Sequence, residues 1–295
     1  MTETGTQELP RRIVHPGPIT RERFRVVGCH AHPVTLTVRP GVCVNAAIAD
    51  AFAEQGFDGG YVRLKNVPMQ RLQYVMPAAA PDDSHAAWYS ETFSMPGGTI
   101  IDAGLHMGRR GGEPFLHCHG AWKSADGILS MGHLLPFEAE FAGETSLEAL
   151  ALDGAILDVQ KDEETNFPLF TPIVQPRHRR SAGLKALLCT VRPNTDICTA
   201  LEAVAAKFGL REAEINGIGS LIGADYEDGT TLAAYASEIL IRSGRVSTVT
   251  GGRKAALDIA MVDLTANISG GRLVRGRNPV CVTFELLLTE REAAA

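Results

Sequence analysis

The chain has 295 residues, of which 45% are hydrophobic and 21% charged, and its formal net charge is −6. This composition is typical of a globular protein with a substantial core, and the length corresponds to about two domains. The negative charge argues against a general nucleic-acid binder, which normally carries a positive surface, although it leaves room for a small basic patch.

The cysteines and the N-terminal segment indicate a cytoplasmic protein. The six cysteines form no CxxC pair and are too sparse for a disulfide scaffold, so reduced thiols are expected. Residues 1–20 are expected to form a disordered tail, and the first twelve lack the apolar segment of a signal peptide. No apolar run approaches transmembrane length, which predicts no membrane association.

The first predicted elements are a strand, a helix and a long loop. Residues 24–38 have the strand-like apolar content of Val26, Val27, Val34, Leu36 and Val38, and they predict a strand that contains His30 and His32. Residues 45–55 carry the apolar spacing of an amphipathic helix. The loop over residues 77–90 is long enough to be functional or disordered. His30 and His32 lack a third partner at hairpin distance, so a site role there is the weaker interpretation.

Three histidines converge on one predicted hairpin. Alternate side chains of a strand share a face, so His117 and His119 point the same way. Residues 125–127 (Ala-Asp-Gly) suit a three-residue loop, and this turn places His133 opposite His119. Three histidines with one open position are the usual arrangement of catalytic zinc. The alternative is that these are separate histidines whose ring nitrogens bond to backbone groups.

A linker is predicted over residues 161–182. Pro168, Pro172 and Pro176 disfavour regular structure there. The basic cluster at residues 177–180 (Arg-His-Arg-Arg) is interpreted as solvated linker, with a phosphate or carboxylate contact as the alternative.

The second half of the chain repeats the first. A shift of 153 residues (190 minus 37) aligns residues 37–40 with residues 190–193, both Thr-Val-Arg-Pro. Further on, a shift of 139 residues (271 minus 132) aligns residues 132–134 with residues 271–273. An internal match that runs through strand, turn and helix indicates a duplicated domain.

The motifs of the second half resemble those of the PPC family, the plants and prokaryotes conserved domain. They are residues 215–221 (Ile-Asn-Gly-Ile-Gly-Ser-Leu), 238–240 (Glu-Ile-Leu) and 270–273 (Gly-Gly-Arg-Leu), while the first half supplies the histidines. The resemblance implies an α/β fold of the α+β type, with a mainly antiparallel sheet around one principal helix in each of two domains, residues 21–160 and 183–290. It also implies trimeric packing with clefts between neighbouring domains.

The family resemblance carries two functional expectations. Stand-alone prokaryotic relatives hold a metal on the three histidines, whereas plant relatives join the domain to AT-hook motifs, which explains why prokaryotic relatives are often called DNA-binding. This chain has no AT-hook, and neither half has the full motif set. Residues 63–67 stand where the second half has residues 216–220. Ala256, Asp258 and Arg272 stand where the first half has its three histidines.

The favoured function is a metal-dependent enzyme, with zinc as the expected metal, that hydrolyses, hydrates or enolises a small carboxylate-bearing metabolite. Arginine forks suit a carboxylate, and Glu138 follows the third histidine closely enough to act as a general base. The candidate catalytic residues are Glu138 and Arg192, and the candidate substrate-binding residues are Arg39, Asn216, Gly217 and Ser220. The alternative for each arginine is a structural contact, and for Glu138 a solvated strand position.

A composite site is expected, in which the histidines face residues of the second half, within the chain or from another subunit. The expected partners are a small acid and further copies of the chain, as a trimer of two-domain chains, without strong nucleic-acid binding. The alternatives are a DNA-associated regulator and a ligand-binding protein without catalysis.

Overall fold

The computed structural model of the chain describes residues 11–176 and 183–291, in which two helices lie against an extensive β structure. The first half forms the strands Phe24–Val38 (β1), Gly60–Val75 (β2), Pro77–Ala78 (β3), Trp88–Tyr89 (β4), Phe93–Pro96 (β5), Thr99–Arg110 (β6), Glu113–Lys123 (β7), Leu129–Leu134 (β8), Glu140–Phe141 (β9), Thr145–Asp153 (β10), Ala155–Lys161 (β11) and Pro168–Val174 (β12), with the helix Val44–Glu54 (α1). The second half forms Leu184–Val191 (β13), Ala213–Leu221 (β14), Ala224–Asp225 (β15), Thr231–Leu232 (β16), Ser237–Val249 (β17), Gly252–Asp263 (β18), Ile268–Arg272 (β19) and Val280–Glu290 (β20), with the helix Ile197–Lys207 (α2).

One 16-stranded sheet runs through both halves. In the first half β1 pairs with β10, β10 with β2, β2 with β6, β6 with β7 and β7 with β8, and β8 also pairs with the end of β2. The order in the second half is β13-β20-β14-β17-β18-β19, so each of its pairings has a counterpart in the first half. Among the described strands the ladders are antiparallel, apart from a parallel bridge between β6 and β11. Strands β1 and β13 pair antiparallel, with Phe24 opposite Val191, and this ladder joins the two halves. The fold is therefore mainly antiparallel β-structure.

Neither helix in the described segments is long and apolar enough to cross a membrane.

Each half packs its helix against its own part of the sheet. The fully buried Phe52 of α1 lies in the core of the first half, and the fully buried Leu201 of α2 in that of the second. A third apolar cluster takes residues from both halves and fixes their relative position. Its members include Cys29, Tyr61, Leu152, Leu188 and Leu287.

The N-terminal segment is ordered over part of the predicted tail. The side chain of Asn194 accepts a hydrogen bond from Ile13 N and donates one to Ile13 O, both at 2.9 Å. The buried carboxylate of Glu164 accepts hydrogen bonds from Thr20 N and from both terminal nitrogens of Arg23. The expectation of disorder is therefore wrong for residues 11–20, because distant polar side chains satisfy their backbone groups. Residues 1–10 lie outside the described residues.

The predicted linker contains a regular strand. Pro168 and Pro172 lie in β12, which pairs with β11 at one edge of the sheet. The two prolines are four residues apart, so their backbone nitrogens face the same side of the strand. That side is the open edge of the sheet, where no neighbouring strand needs an N–H donor. The expectation of irregular structure is thus wrong at β12, because an edge strand tolerates proline. The basic cluster at residues 177–180 lies outside the described residues.

The β7–β8 hairpin has the predicted register. Gly127 has a φ of +88°, the left-handed conformation expected at this turn. His119 lies opposite His133, and His117 lies opposite His106 of β6. The hairpin therefore presents three imidazoles on one face, toward the second half of the chain.

Candidate metal centre and pocket

Three imidazole rings meet on this face of the hairpin. The Nε2 atoms of His117 and His119 are 2.9 Å apart, and His117 Nε2 is 3.2 Å from His133 Nδ1. One ring nitrogen from each of the three histidines lies within 4.8 Å of the others, as required for ligands of one ion. The sequence-predicted trio is thus brought together around a single point.

The second half of the chain contacts two of these rings. Glu285 of β20 places Oε2 2.7 Å from His117 Nδ1, and Glu238 of β17 places Oε2 2.7 Å from His119 Nε2. His119 Nδ1 donates to the carbonyl oxygen of Ile239 at 3.1 Å. Both glutamates are buried. The site is therefore built from both halves of the chain.

The hydrogen bonds fix which ring nitrogens are free to bind a cation. The ionised carboxylate of Glu285 and the carbonyl of Ile239 are acceptors, so the Nδ1 atoms of His117 and His119 carry the protons when Glu285 is ionised. In the neutral rings the Nε2 lone pairs of His117 and His119 then face each other. If His119 Nε2 is also protonated, it can donate that proton to His117 or to Glu238, but not to both. A cation shared by these atoms satisfies all of them. Nitrogens about 3 Å apart suit an ion bound at about 2.0–2.1 Å, so the donor set fits zinc.

The electrostatics favour neutral rings at two of the three positions. Burial, followed by the neighbouring His119, lowers the pKa of His117 to about 3. Burial and the two other rings hold the pKa of His133 well below its usual value. At His119, burial lowers the pKa, but Glu238, the carbonyl of Ile239 and Glu285 together outweigh this effect and raise it. Burial raises the pKa of Glu285 to about 7. Neutral imidazole is the form that binds metals.

A pocket of about 400 Å³ opens above the three rings. The loop between β3 and β4 covers one side, where the Tyr89 ring packs edge-on against His133 with centroids 5.2 Å apart. Trp88 stacks on Phe167, at 5.5 Å between centroids, and so holds the loop against the segment before β12. The predicted long loop is therefore ordered and forms a wall of the site.

Two further sequence-predicted residues line this pocket. Glu138 is exposed at its wall, and Ser220 lies on the second-half side beside Gly219. Ser220 Oγ accepts a hydrogen bond from Val282 N at 2.9 Å, which leaves its hydroxyl hydrogen free to donate.

The two arginines proposed to hold a carboxylate lie outside the pocket. Arg192 forms ion pairs with Asp162, at 2.5 Å, and with Glu164, both in the predicted linker. Arg39 pairs with Glu54 at 2.7 Å on the surface. Both residues make the structural contacts that were the alternative interpretation, because acidic partners neutralise their guanidinium groups. Their assignment to the site is corrected accordingly.

Asn216 and Gly217 also lie elsewhere. Asn216 lines a polar cavity that it shares with Arg242. Gly217 packs against β20, where an added Cβ would lie 2.3 Å from the carbonyl oxygen of Glu285. The ladder between β14 and β17 is irregular from Glu214 to Ile218, so counting along the strand does not predict which residues face the pocket. Gly217 is therefore explained by close strand packing, not by a ligand.

Other histidine positions show no metal cluster in the described segments. His32 packs its ring against Phe57, with centroids 5.3 Å apart. In the second half, Asp258 accepts from Arg242 Nε at 2.6 Å and so forms an ion pair at the position equivalent to His119.

Sequence reasoning missed Glu238 and Glu285 as site residues. Glu285 is the single charged residue between Val280 and Leu288 in an otherwise mostly apolar strand, and Glu238 precedes the apolar residues 239–241. A lone acid in a buried strand is an available signal, because buried carboxylates need a partner.

Comparison with known proteins gives one family match and several similar solved structures. Residues 178–292 match the Plants and Prokaryotes Conserved (PCC) domain. A metal-containing protein from Archaeoglobus fulgidus is 16% identical, with 51% of this chain and 99% of that chain covered and a TM-score of 0.37. A plant- and prokaryote-conserved (PPC) protein from Pyrococcus horikoshii is 15% identical, with 53% and 99% covered and a TM-score of 0.36. A hypothetical protein from Salmonella cholerae-suis is 23% identical, with 38% and 82% covered and a TM-score of 0.31.

No curated protein matches the sequence. From the family match, residues 178–292 therefore carry the plants and prokaryotes conserved domain, written PCC or PPC.

Proposed function

We propose that the chain is a zinc-type metal-dependent enzyme that acts on a small carboxylate-bearing metabolite in the pocket between its two halves. The observation that carries the proposal is the convergence of His117, His119 and His133 beside two buried carboxylates at the base of this pocket. Perturbed titratable groups in a pocket are typical of active sites.

The residues of the pocket supply the remaining chemistry. A metal ion held by the three histidines would polarise a substrate carbonyl or activate water. Glu238 is the candidate proton acceptor, because its carboxylate borders the ligand cluster and lines the pocket. Ser220 can donate a hydrogen bond to a substrate oxygen, and Glu285 orients His117. Hydrolysis, hydration and enolisation all require such a base beside a polarised carbonyl.

We further propose that residues 21–160 form a second PPC-like domain. The support is the series of strand pairings that the two halves share, with a helix after the first strand of each. In this arrangement one domain supplies the histidines and the other the carboxylates, and the chains assemble as trimers. Light scattering at micromolar concentration should give three times the chain mass, and a monomer would contradict the assembly. The free cysteines support a cytoplasmic setting.

Metal analysis of the purified protein tests the proposed function. One zinc ion per chain is expected, and small carboxylic acids should then raise the unfolding temperature, because a ligand that binds the native state stabilises it. Turnover that disappears in Glu238→Gln, while acid binding persists, would distinguish an enzyme from a ligand-binding protein. A metal-free protein that cannot be loaded would contradict the proposal.

Sequence-selective DNA binding is not expected. The formal net charge is −6, and the chain has no AT-hook. Contacts to phosphates give affinities that fall steeply with salt concentration. Titration of duplex DNA from low to physiological salt should show weak binding at most. Tight, selective binding at physiological salt would favour the DNA-associated regulator instead.

A further inference from the structure

Arg110 differs from the other arginines near the site because no described carboxylate pairs with it. It is the one lysine or arginine among the described residues that line the pocket. Its guanidinium lies 3.6 Å from the centroid of the Phe115 ring, which holds it over the pocket wall. Its neighbour Arg109, by contrast, pairs with Asp158 at 3.2 Å. The Arg110 guanidinium therefore has its hydrogen-bond donors available for an anion.

Arg110 lies on the wall of the same pocket as the candidate metal centre. It lines the cavity together with His117, His119 and His133, so an anion held by its guanidinium lies in the cavity onto which the three rings face. Three carboxylates also line the pocket, those of Glu138, Glu238 and Glu285, and none of them pairs with Arg110 among the described ion pairs. The Arg110 guanidinium is therefore the group of the described lining that attracts the carboxylate of a ligand.

The rest of the wall is aromatic. The Phe115 ring stacks on Phe137 at 6.1 Å and meets Phe170 edge-on at 5.7 Å between centroids. Trp88 and Phe137 remain 38% and 55% exposed although they are large apolar residues beside a pocket. Clustered exposed aromatic side chains around a cavity are typical of a surface that a ligand covers. The geometry of the rings suits a flat apolar group.

On the basis of the proposed function, we propose that the substrate is an aromatic monocarboxylate. Its carboxylate pairs with the Arg110 guanidinium, and its ring lies among Trp88, Phe137 and the neighbouring aromatic side chains. Its reacting group faces the three histidines and Glu238. Arg110 thereby takes the role that the sequence had suggested for Arg192.

The test uses three probes and the zinc-loaded full chain. The probes are 3-phenylpropionate, its neutral amide 3-phenylpropanamide, and propionate, which lacks the ring, each titrated by isothermal calorimetry. We expect 3-phenylpropionate to bind at least about 10-fold more tightly than the amide, because the carboxylate forms a charged hydrogen bond with Arg110 that the amide lacks. We expect a similar advantage of at least about 10-fold over propionate, because the ring buries apolar surface that propionate does not have. Arg110→Gln should lose the advantage of the acid over the amide and leave amide binding and zinc content unchanged. Arg109→Gln is the matched control and should bind like the wild type.

Each other outcome overturns the proposal. Equal affinity for acid and amide would remove the carboxylate from recognition, and equal affinity for propionate would remove the ring. An acid preference that survives in Arg110→Gln would assign the carboxylate to the metal. Failure of all three probes to bind zinc-loaded protein would reject the substrate class but leave the metal site standing. Failure to load zinc at all would instead reject the proposed function.

Discussion

Replacing His119 by alanine is expected to abolish binding of the metal at physiological concentrations. His119 contacts the second half through both of its ring nitrogens, at Ile239 and at Glu238. Loss of a partner behind a ligand costs about 10- to 100-fold in metal affinity, so loss of the ligand itself should exceed 100-fold. Wild-type protein at a free zinc concentration 100 times its Kd should gain about 2.7 kcal/mol in its free energy of unfolding. His119→Ala should gain almost none, as measured by chemical denaturation with and without zinc.

Two further variants make this result specific. His133→Ala removes a ligand that forms no contact with Glu238 or Glu285 among the described ion pairs, so it should lose zinc without leaving a carboxylate unpaired. His32→Ala removes the histidine that packs on Phe57 and should bind zinc like the wild type. Retention of zinc by both His119→Ala and His133→Ala would show that the ion binds elsewhere.

The second large effect is expected for Glu285→Gln. The Glu285 carboxylate accepts from His117 Nδ1 at 2.7 Å, which keeps the Nε2 lone pair directed at the candidate metal position and increases its basicity. Glutamine can still accept this hydrogen bond but without the negative charge. Zinc affinity should therefore fall about 10- to 100-fold, which corresponds to about 1.4–2.7 kcal/mol. A competition titration with a zinc indicator measures the change.

The fold should survive the Glu285 substitution. His106 Nε2 donates to the backbone carbonyl of residue 285, and this contact does not depend on the side chain. Glu290→Gln is the matched control, since Glu290 ends the same strand and pairs with Lys185 at the surface. Unchanged zinc affinity in Glu285→Gln would mean that the Glu285 carboxylate does not support the ligand.

The local part of the site could be predicted because it depends on short-range rules. Strand alternation and a three-residue turn with Gly127 were enough to place His119 opposite His133. Glu238 and Glu285 could not be placed in the same way. Their positions depend on the pairing of β1 with β13, which places the second half against the hairpin. This pairing joins residues that are far apart in sequence, so local patterns do not predict it.

The errors have similar causes. Arg192 has a motif equivalent to that of Arg39, but its partners Asp162 and Glu164 come from a segment that three prolines had marked as irregular. Proline removes a donor, but whether this prevents a strand depends on whether that donor would face a neighbour or an open edge. Edge position is a property of the assembled sheet and cannot be inferred from the local sequence.

The central claim is that one metal ion binds where the three imidazoles meet, with residues of the second half behind two of them. Crystals of zinc-loaded protein, with anomalous diffraction recorded on both sides of the zinc absorption edge, test it most directly. The predicted result is one strong peak per chain, about 2.0–2.1 Å from a ring nitrogen of each of His117, His119 and His133. A peak at any other position, or its absence in protein saturated with zinc, would contradict the account.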